Sequence, residues 1–450
     1  MAAAGSAVGL GNIWRFPYLA AKDGGGVFIL VYIVLALTFG FTLLTTEIAL
    51  GRKVKRSPLT AYGAVSKGWK WLGLFSCLVP GMIMTFYVVI GGWVLKYFIA
   101  FLFGQSKACA EPEYFGNFIA GIPEPTIYMV IFGVLCGLVV MLGVSEGIEK
   151  VSKILMPTLL LMILGIAIFS LTVKKTGDDG TVVTGMQGLK ELFIPKFEGM
   201  TVNEFFRIMM DALGQLFFSL SVAAGVMVAY GSYVPDETDL VKSVGHIEFF
   251  DTAVAILAGI MILPAVFVFE GTEGMSQGPS LMFVSLPKVF MEMGPAGDLV
   301  GAAFFGMVLF AAVTSGISLL EAFVSSMIDR FDMSRKKSTL ISTVVIVIVG
   351  FVLVLGYNVW KFDIKLPTGS TGQFLDVMDY LVNQLAMPFV AIATCILIGW
   401  VKKPDYIISE VTKNGERFGR AKLYTVMIKY VAPAMLILLF FLTSGIIRLG

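Results

Sequence analysis

Long apolar runs separated by short charged stretches set the pattern of this chain. A helix that crosses a bilayer needs about 20 mostly apolar residues. Eleven such runs are predicted, over roughly 1–21, 26–51, 73–103, 126–144, 151–173, 205–233, 246–270, 296–328, 339–357, 373–401 and 424–447. Two of them break the pattern alike. The first holds Gly5-Ser6-Ala7-Val8-Gly9-Leu10-Gly11-Asn12-Ile13-Trp14-Arg15-Phe16-Pro17, with glycines, an amide and a guanidinium in close order. The sixth holds Gly214-Gln215-Leu216-Phe217-Phe218-Ser219-Leu220-Ser221-Val222-Ala223-Ala224-Gly225, polar and small at its centre. Glycine inside a helix costs roughly 1 kcal/mol against alanine. A charge at membrane depth costs a few kcal/mol or more. Broken backbone at that depth is tolerated only where it lines a cavity or is buried in protein. Either stretch alone reads equally well as close helix packing through small residues. As a pair, each near mid-span and five helices apart, they predict interrupted helices in two inverted halves. These are residues 1–173 and 205–401, with 424–447 outside the repeat. Such a pair points to a transport site at the midplane.

Composition supports the membrane reading. The 450 residues are 57% hydrophobic and 14% charged, against about 25% charged in soluble proteins. The expected class is an all-α membrane protein with eleven transmembrane helices, its single domain spanning 1–450. A net charge of +2 implies no nucleic-acid partner. One histidine, His246, and four scattered cysteines, Cys77, Cys109, Cys136 and Cys395, provide no His-based metal site and no disulfide framework. Transport makes and breaks no bond, so no enzyme is expected. Basic clusters such as Arg52, Lys53, Lys55, Arg56 and Arg335, Lys336, Lys337 fall in alternate loops. The positive-inside rule then puts the N-terminus in the cytoplasm and the C-terminus outside, across the cell (inner) membrane. The start has no basic region before a continuous apolar stretch, so it does not read as a signal peptide. It is short, as though the chain begins inside its membrane segment. Lys174-Lys175 and Asp178-Asp179 read as solvated surface.

Gly9-Leu10-Gly11-Asn12 with Arg15-Phe16-Pro17, then Asp23-Gly24-Gly25-Gly26, Phe217-Phe218-Ser219-Leu220-Ser221 and Thr314-Ser315, resemble the neurotransmitter:sodium symporter family, specifically its bacterial amino-acid transporters. The resemblance covers nearly the whole chain. It implies the LeuT fold, a 5+5 inverted repeat plus one helix, with helices 1 and 6 unwound at mid-membrane. It implies sodium-coupled import of an amino acid by alternating access. The substrate's carboxylate would meet the amides of Leu10 and Gly11 at a half-helix N-terminus and the Tyr87 hydroxyl. Its ammonium would meet the carbonyls of Ala7, Phe218 and Ser219 and the Ser221 hydroxyl. Ile83, Tyr87, Phe218, Ala224 and Leu319 would surround its side chain. One sodium ion is implied at Ala7, Asn12 and Ser219, beside Asp251. A second is implied at Gly5, Val8, Ala311, Thr314 and Ser315. Sodium, the amino acid and membrane lipid are thus the expected partners, with no organic cofactor; nothing indicates an oligomer.

The departures from the family pattern carry expectations of their own. Ala223-Ala224-Gly225 stands where the family usually has Gly-x-Gly with a bulky middle residue. A small residue at 224 enlarges the pocket and favours a bulky hydrophobic or aromatic amino acid. Alanine at 223 lacks glycine's freedom, which allows a shorter break. Asp251, matched among Tyr32, Gln215 and Ser219, would replace the chloride of animal relatives. That predicts chloride-independent transport and permits proton antiport once sodium leaves. Arg15 and Asp379 would close the outer side, with Asp376 and Asp211 as competing partners for Arg15. Tyr233 and Asp329 end helices 6 and 8 on the inner side, which the family closes with a basic residue from an N-terminal tail; with Met1 already at membrane depth, either a removed tail or a truncated start is expected. Glu47 reads equally as a helix-pinning or a functional acid. Gly147 and Pro157 fit either a helix that unwinds inward or an ordinary proline kink. The rival readings are an ion channel, a non-transporting amino-acid sensor, and a sugar or nucleobase symporter of the same fold.

Overall fold

The computed structural model describes residues 2–176, 180–195, 197–275, 281–367 and 371–446. Asp178 and Asp179, Met1 and residue 447 of the eleventh expected span lie outside them. Among the described residues, nine helices are long and apolar enough to cross a membrane. The elements are α1 (Ala2–Ala7), α2 (Phe16–Lys22), α3 (Gly26–Val54), α4 (Lys67–Leu102), α5 (Pro123–Met141), α6 (Val144–Thr172), α7 (Val202–Ser219), α8 (Val226–Tyr233), α9 (Leu240–Thr272), α10 (Gly297–Phe331), α11 (Arg335–Leu355), α12 (Phe374–Val401) and α13 (Ala421–Thr443). The two expected spans missing from the nine are the first and the sixth. Each is two short rods: α1 and α2 flank a bend at Val8-Gly9 and a wide π-type turn, Gly11–Arg15. Between α7 and α8 lie residues 220–225.

Side-chain pattern sorts the helices into centre and rim. α10, rich in Gly, Ala and Ser, packs closely along α4 and is almost wholly buried. On α3, Leu30, Val34 and Leu37 are exposed, and on α5 so are Ile127, Ile131, Leu135, Leu138 and Leu142. Those spacings put each set on one helix face, the face a bilayer would cover. α6 is the least buried of the nine and also carries an apolar exposed face. Its helix stays wound through Pro157, and Gly147 lies in a wide turn, Val144–Glu149. Two short antiparallel hairpins pair Lys174–Thr176 with Val182–Thr184 and Ile364–Lys365 with Thr371–Gly372.

The loop after α2 is anchored by charge. Lys22 Nζ donates to Asp211 Oδ2 at 2.9 Å and stands 3.8 Å from Asp23 Oδ1. Asp23 is buried, and neither of its carboxylate oxygens accepts a hydrogen bond. Burial, and then the neighbouring Asp211, push its carboxyl up to about 7. The native state therefore holds this proton more tightly than the unfolded chain does. That stability is complete below about pH 4 and is lost as pH rises through about 7. Thermal unfolding of the detergent-solubilised protein is expected to show a midpoint that drops across this window. Asp23→Asn should flatten the drop; a variant with the same pH dependence would contradict the assignment.

Candidate functional site

The backbone at residues 220–225 owes its shape to local chemistry. Ser221, Ala223 and Gly225 have φ of +51°, +60° and +71°. Only glycine takes that region freely, so Ser221 and Ala223 each cost of order 1–3 kcal/mol. An outside group holds the strained alanine at 223. The Ala223 N–H donates to Glu47 Oε1 at 2.6 Å, and both residues are buried. Glu47→Ala would leave that amide buried and unpaired, at about 1–3 kcal/mol. Ligand affinity is expected to fall about ten-fold or more, whereas Glu47→Gln keeps the acceptor and most of the affinity. Equilibrium binding of both variants checks this.

A buried polar network joins the two irregular segments to α9. Asp251 Oδ1 accepts from Asn12 Nδ2 at 2.8 Å and from Ser219 Oγ at 2.5 Å. Its Oδ2 accepts from Tyr32 at 2.9 Å. Asn12 Nδ2 also reaches the Asp251 carbonyl at 3.0 Å, and Asn12 Oδ1 takes the Gly9 N–H at 2.9 Å. Gln215 Nε2 donates to the Gly11 carbonyl at 2.9 Å, while Gln215 Oε1 is buried without a partner. Asn12, Tyr32, Gln215 and Asp251 are fully buried. Ala7, expected beside this group, ends α1 and is buried too. On the other side of α1, Ser315 Oγ donates to the Ser6 carbonyl at 3.2 Å. Thr314 Oγ1 bonds back to the Phe310 and Ala311 carbonyls of its own helix, at 3.1 and 3.0 Å. These contacts set α10 beside the run that contains Gly5 and Val8. A Cβ at Gly9 would stand 2.4 Å from Ser315 Oγ, so any larger residue there would have to turn that hydroxyl aside.

A small chamber of about 30 Å³ lies between the breaks. Leu10, Gly11, Ile83, Tyr87, Phe218, Ser219, Ser221, Ala224 and Leu319 line it, as does Met387. Ser6, Gly9 and Ser315 complete the lining; Ala7 does not reach it. Tyr87 is 4% exposed, and among the described residues its hydroxyl, which lies beside Ser315 and Leu10, makes no hydrogen bond of ordinary geometry. Leu10, Tyr87 and Phe218 also border a larger vestibule of about 430 Å³. There Arg15 and Asp379 share one wall system without an ion pair. Arg15 lies 5.9 Å from the Phe218 ring centre, and Asp379 accepts from Asn383 Nδ2 at 2.6 Å. The competing acids are engaged elsewhere: Asp211 with Lys22, and Asp376 with the Gln373 N–H at 2.7 Å.

At the opposite end Tyr233 and Asp329 have separate partners. Tyr233 donates to Glu321 Oε1 at 2.6 Å, and Arg335 grips Glu321 with both terminal nitrogens, at 2.7 and 3.0 Å. Asp329 accepts from the Ser57 N–H at 3.1 Å, from Ser57 Oγ at 2.8 Å and from Thr60 Oγ1. Glu321 and Arg335 escape a sequence reading because the turn between α10 and α11 brings them together. Met387 escapes it because buried helical methionines are usually plain core. The one available signal was Pro388 beside it.

Membrane-length helices ranged around two broken rods, with a buried polar chamber at the breaks, define a multi-pass membrane transporter. The sequence model of the Sodium:neurotransmitter symporter family matches residues 1–111 and 116–449, and the chain belongs to that family. An uncharacterized sodium-dependent transporter of Bacillus subtilis (strain 168), YhdH, is 34% identical, over 99% of this chain and 96% of its own. The human sodium- and chloride-dependent GABA transporter 2 is 25% identical, over 89% of this chain and 71% of its own. The solved structure of MhsT in complex with L-phenylalanine matches with a TM-score of 0.85 at 32% identity, covering 98% of this chain and 97% of that one.

Proposed function

We propose that this chain imports a bulky hydrophobic or aromatic amino acid together with sodium, by alternating access, and without chloride. The observation that carries the reading is the Tyr87 hydroxyl, buried beside Leu10 and Ser315 with no hydrogen bond of ordinary geometry among the described residues, at a chamber that Leu10 and Gly11 also line. A buried donor seldom goes unpaired, and a carboxylate is the strong acceptor that would suit it. The amides of Leu10 and Gly11 precede the outer half-helix, whose positive end favours the same anion. The Ser221 hydroxyl and the carbonyls of Ala7, Phe218 and Ser219 would accept the ammonium. MhsT with its bound L-phenylalanine supports an aromatic side chain, as does the small residue at Ala224, which takes less of the chamber than a bulky one would.

Sodium is a co-substrate here and needs oxygen donors. Asn12 Oδ1 has a second lone pair beyond the one on Gly9; with Ala7, Ser219, Asp251 and the substrate carboxylate it would form the first site. Gly5, Val8, Ala311, Thr314 and Ser315 would form the second. Sharing the carboxylate couples the first ion to the substrate. Asp251 would supply permanently the negative charge that a chloride-dependent relative takes from solution, and it leaves room for proton antiport. The fold reading that goes with this is eleven helices in two inverted halves, 1–173 and 205–401, plus 424–447. Helices 1 and 6 are unwound at mid-membrane and the N-terminus is cytoplasmic. Arg15 and Asp379 would approach through water to close the vestibule. Tyr233 and Asp329, with Glu321 and Arg335, would part on the inner side. Purified protein in liposomes should accumulate radiolabelled phenylalanine or leucine under an inward sodium gradient. Equal uptake under an inward potassium gradient would refute the coupling.

A further inference from the structure

The chamber has a wall from an element that neither break contains. Met387 lines it with Ile83, Ala224 and Leu319 and is 1% exposed. It belongs to α12, whose backbone just before it runs as a wide π-type turn, Tyr380–Ala386, with Pro388 immediately after. Proline cannot donate to the carbonyl one turn back. The widened turn adds one residue to the helical circuit, which rotates the facing of the residues beyond it by roughly 100°. Turns of this kind occur frequently at functional sites.

Leu10, Ile83, Phe218, Ala224, Leu319 and Met387 provide the lining with apolar groups, whereas Ser6, Tyr87, Ser219, Ser221 and Ser315 carry its polar ones. Within the apolar set Ala224 contributes only a methyl group, and Met387 is the unbranched and most adaptable member. A methionine fills irregular gaps and makes favourable sulfur–aromatic contacts. We propose that Met387 is the specificity-determining residue of this transporter: its thioether closes the part of the chamber that Ala224 leaves open and selects aromatic and long aliphatic side chains over small ones. This rests on the amino-acid reading above. A side chain too short to reach Met387 leaves apolar surface unfilled, and each missing methylene in such a pocket is worth roughly 10- to 200-fold in selection.

The test is a competition panel of alanine, valine, leucine, phenylalanine and tryptophan against radiolabelled leucine, in sodium. The proteins are the wild type, Met387→Ala, Met387→Phe, Ala224→Phe and the double variant Ala224→Phe/Met387→Ala. The wild type should prefer phenylalanine and leucine to alanine. Met387→Phe should weaken phenylalanine about ten-fold or more relative to valine. Met387→Ala should raise tryptophan relative to phenylalanine by a similar factor. Ala224→Phe should lose phenylalanine, and the double variant should regain it. Rescue of one substitution by the other is not expected of residues that merely support the fold. If every competitor shifts by one common factor, and the double variant binds phenylalanine no better than Ala224→Phe, Met387 does not set specificity. If no amino acid competes even in the wild type, the amino-acid reading falls first and this assignment with it.

Discussion

Uptake by Asp251→Ser is expected to depend on chloride, whereas uptake by the wild type is not. The carboxylate of Asp251 accepts from Tyr32, Ser219 and Asn12, all buried. Shortening it to a hydroxymethyl group leaves these donors around an emptied space and removes a negative charge beside the place argued for sodium. Each unpaired buried donor costs about 1–3 kcal/mol, and a sodium ion left without its counter-charge costs more. In chloride-free medium the variant should therefore take up substrate at roughly one hundredth of the wild-type rate or less, since about 1.4 kcal/mol is a factor of ten. Added chloride can accept from the same donors and restore the charge, so uptake should recover. The wild type should run equally in chloride and in gluconate. A variant that is equally impaired in both anions would show that Asp251 is a structural acid only. A wild type that needs chloride would contradict the reading outright.

Tyr87→Phe is expected to cost the most affinity of any single-atom change in the chamber. The hydroxyl is buried and makes no hydrogen bond of ordinary geometry among the described residues, so deleting it disturbs little of the surrounding packing. On the function proposed above, what disappears is a donor to the substrate carboxylate. Hydrogen bonds to charged groups contribute about 1.5–3 kcal/mol, which converts to roughly ten- to hundred-fold in dissociation constant. The phenyl ring remains to pack beside Phe132, whose ring centre lies 6.5 Å away, and thermal stability should stay close to wild type. Equilibrium binding of labelled phenylalanine to both proteins, alongside a melting curve, separates the two effects. Unchanged affinity would mean that the carboxylate is held elsewhere.

Both places where helices stop at mid-chain were legible because they violate costs that a bilayer imposes. Glycine beside glycine, an amide, and serines in an apolar run all make a poor helix, and the chain bends at Val8-Gly9 and again over residues 220–225. Chamber residues such as Tyr87, Phe218 and Ser221 came from their resemblance to a family motif. Contacts made by folding were not legible. Glu321 lies 14 residues from Arg335, and only the reversal between α10 and α11 turns that spacing into a bidentate pair. Arg15 and Asp379 line one vestibule without a direct ion pair, and the Arg15 guanidinium lies 5.9 Å from the Phe218 ring centre. Glu47 could be read two ways, and only the geometry shows its carboxylate holding the Ala223 amide.

Equilibrium binding of radiolabelled phenylalanine to the purified wild-type protein, titrated with sodium against a potassium background, probes most directly whether substrate and cation share one site between the broken helices. Affinity should rise steeply with sodium and vanish in potassium alone, and, since linkage is reciprocal, phenylalanine should tighten sodium binding by the same factor. Binding of equal strength in sodium and in potassium would contradict the account.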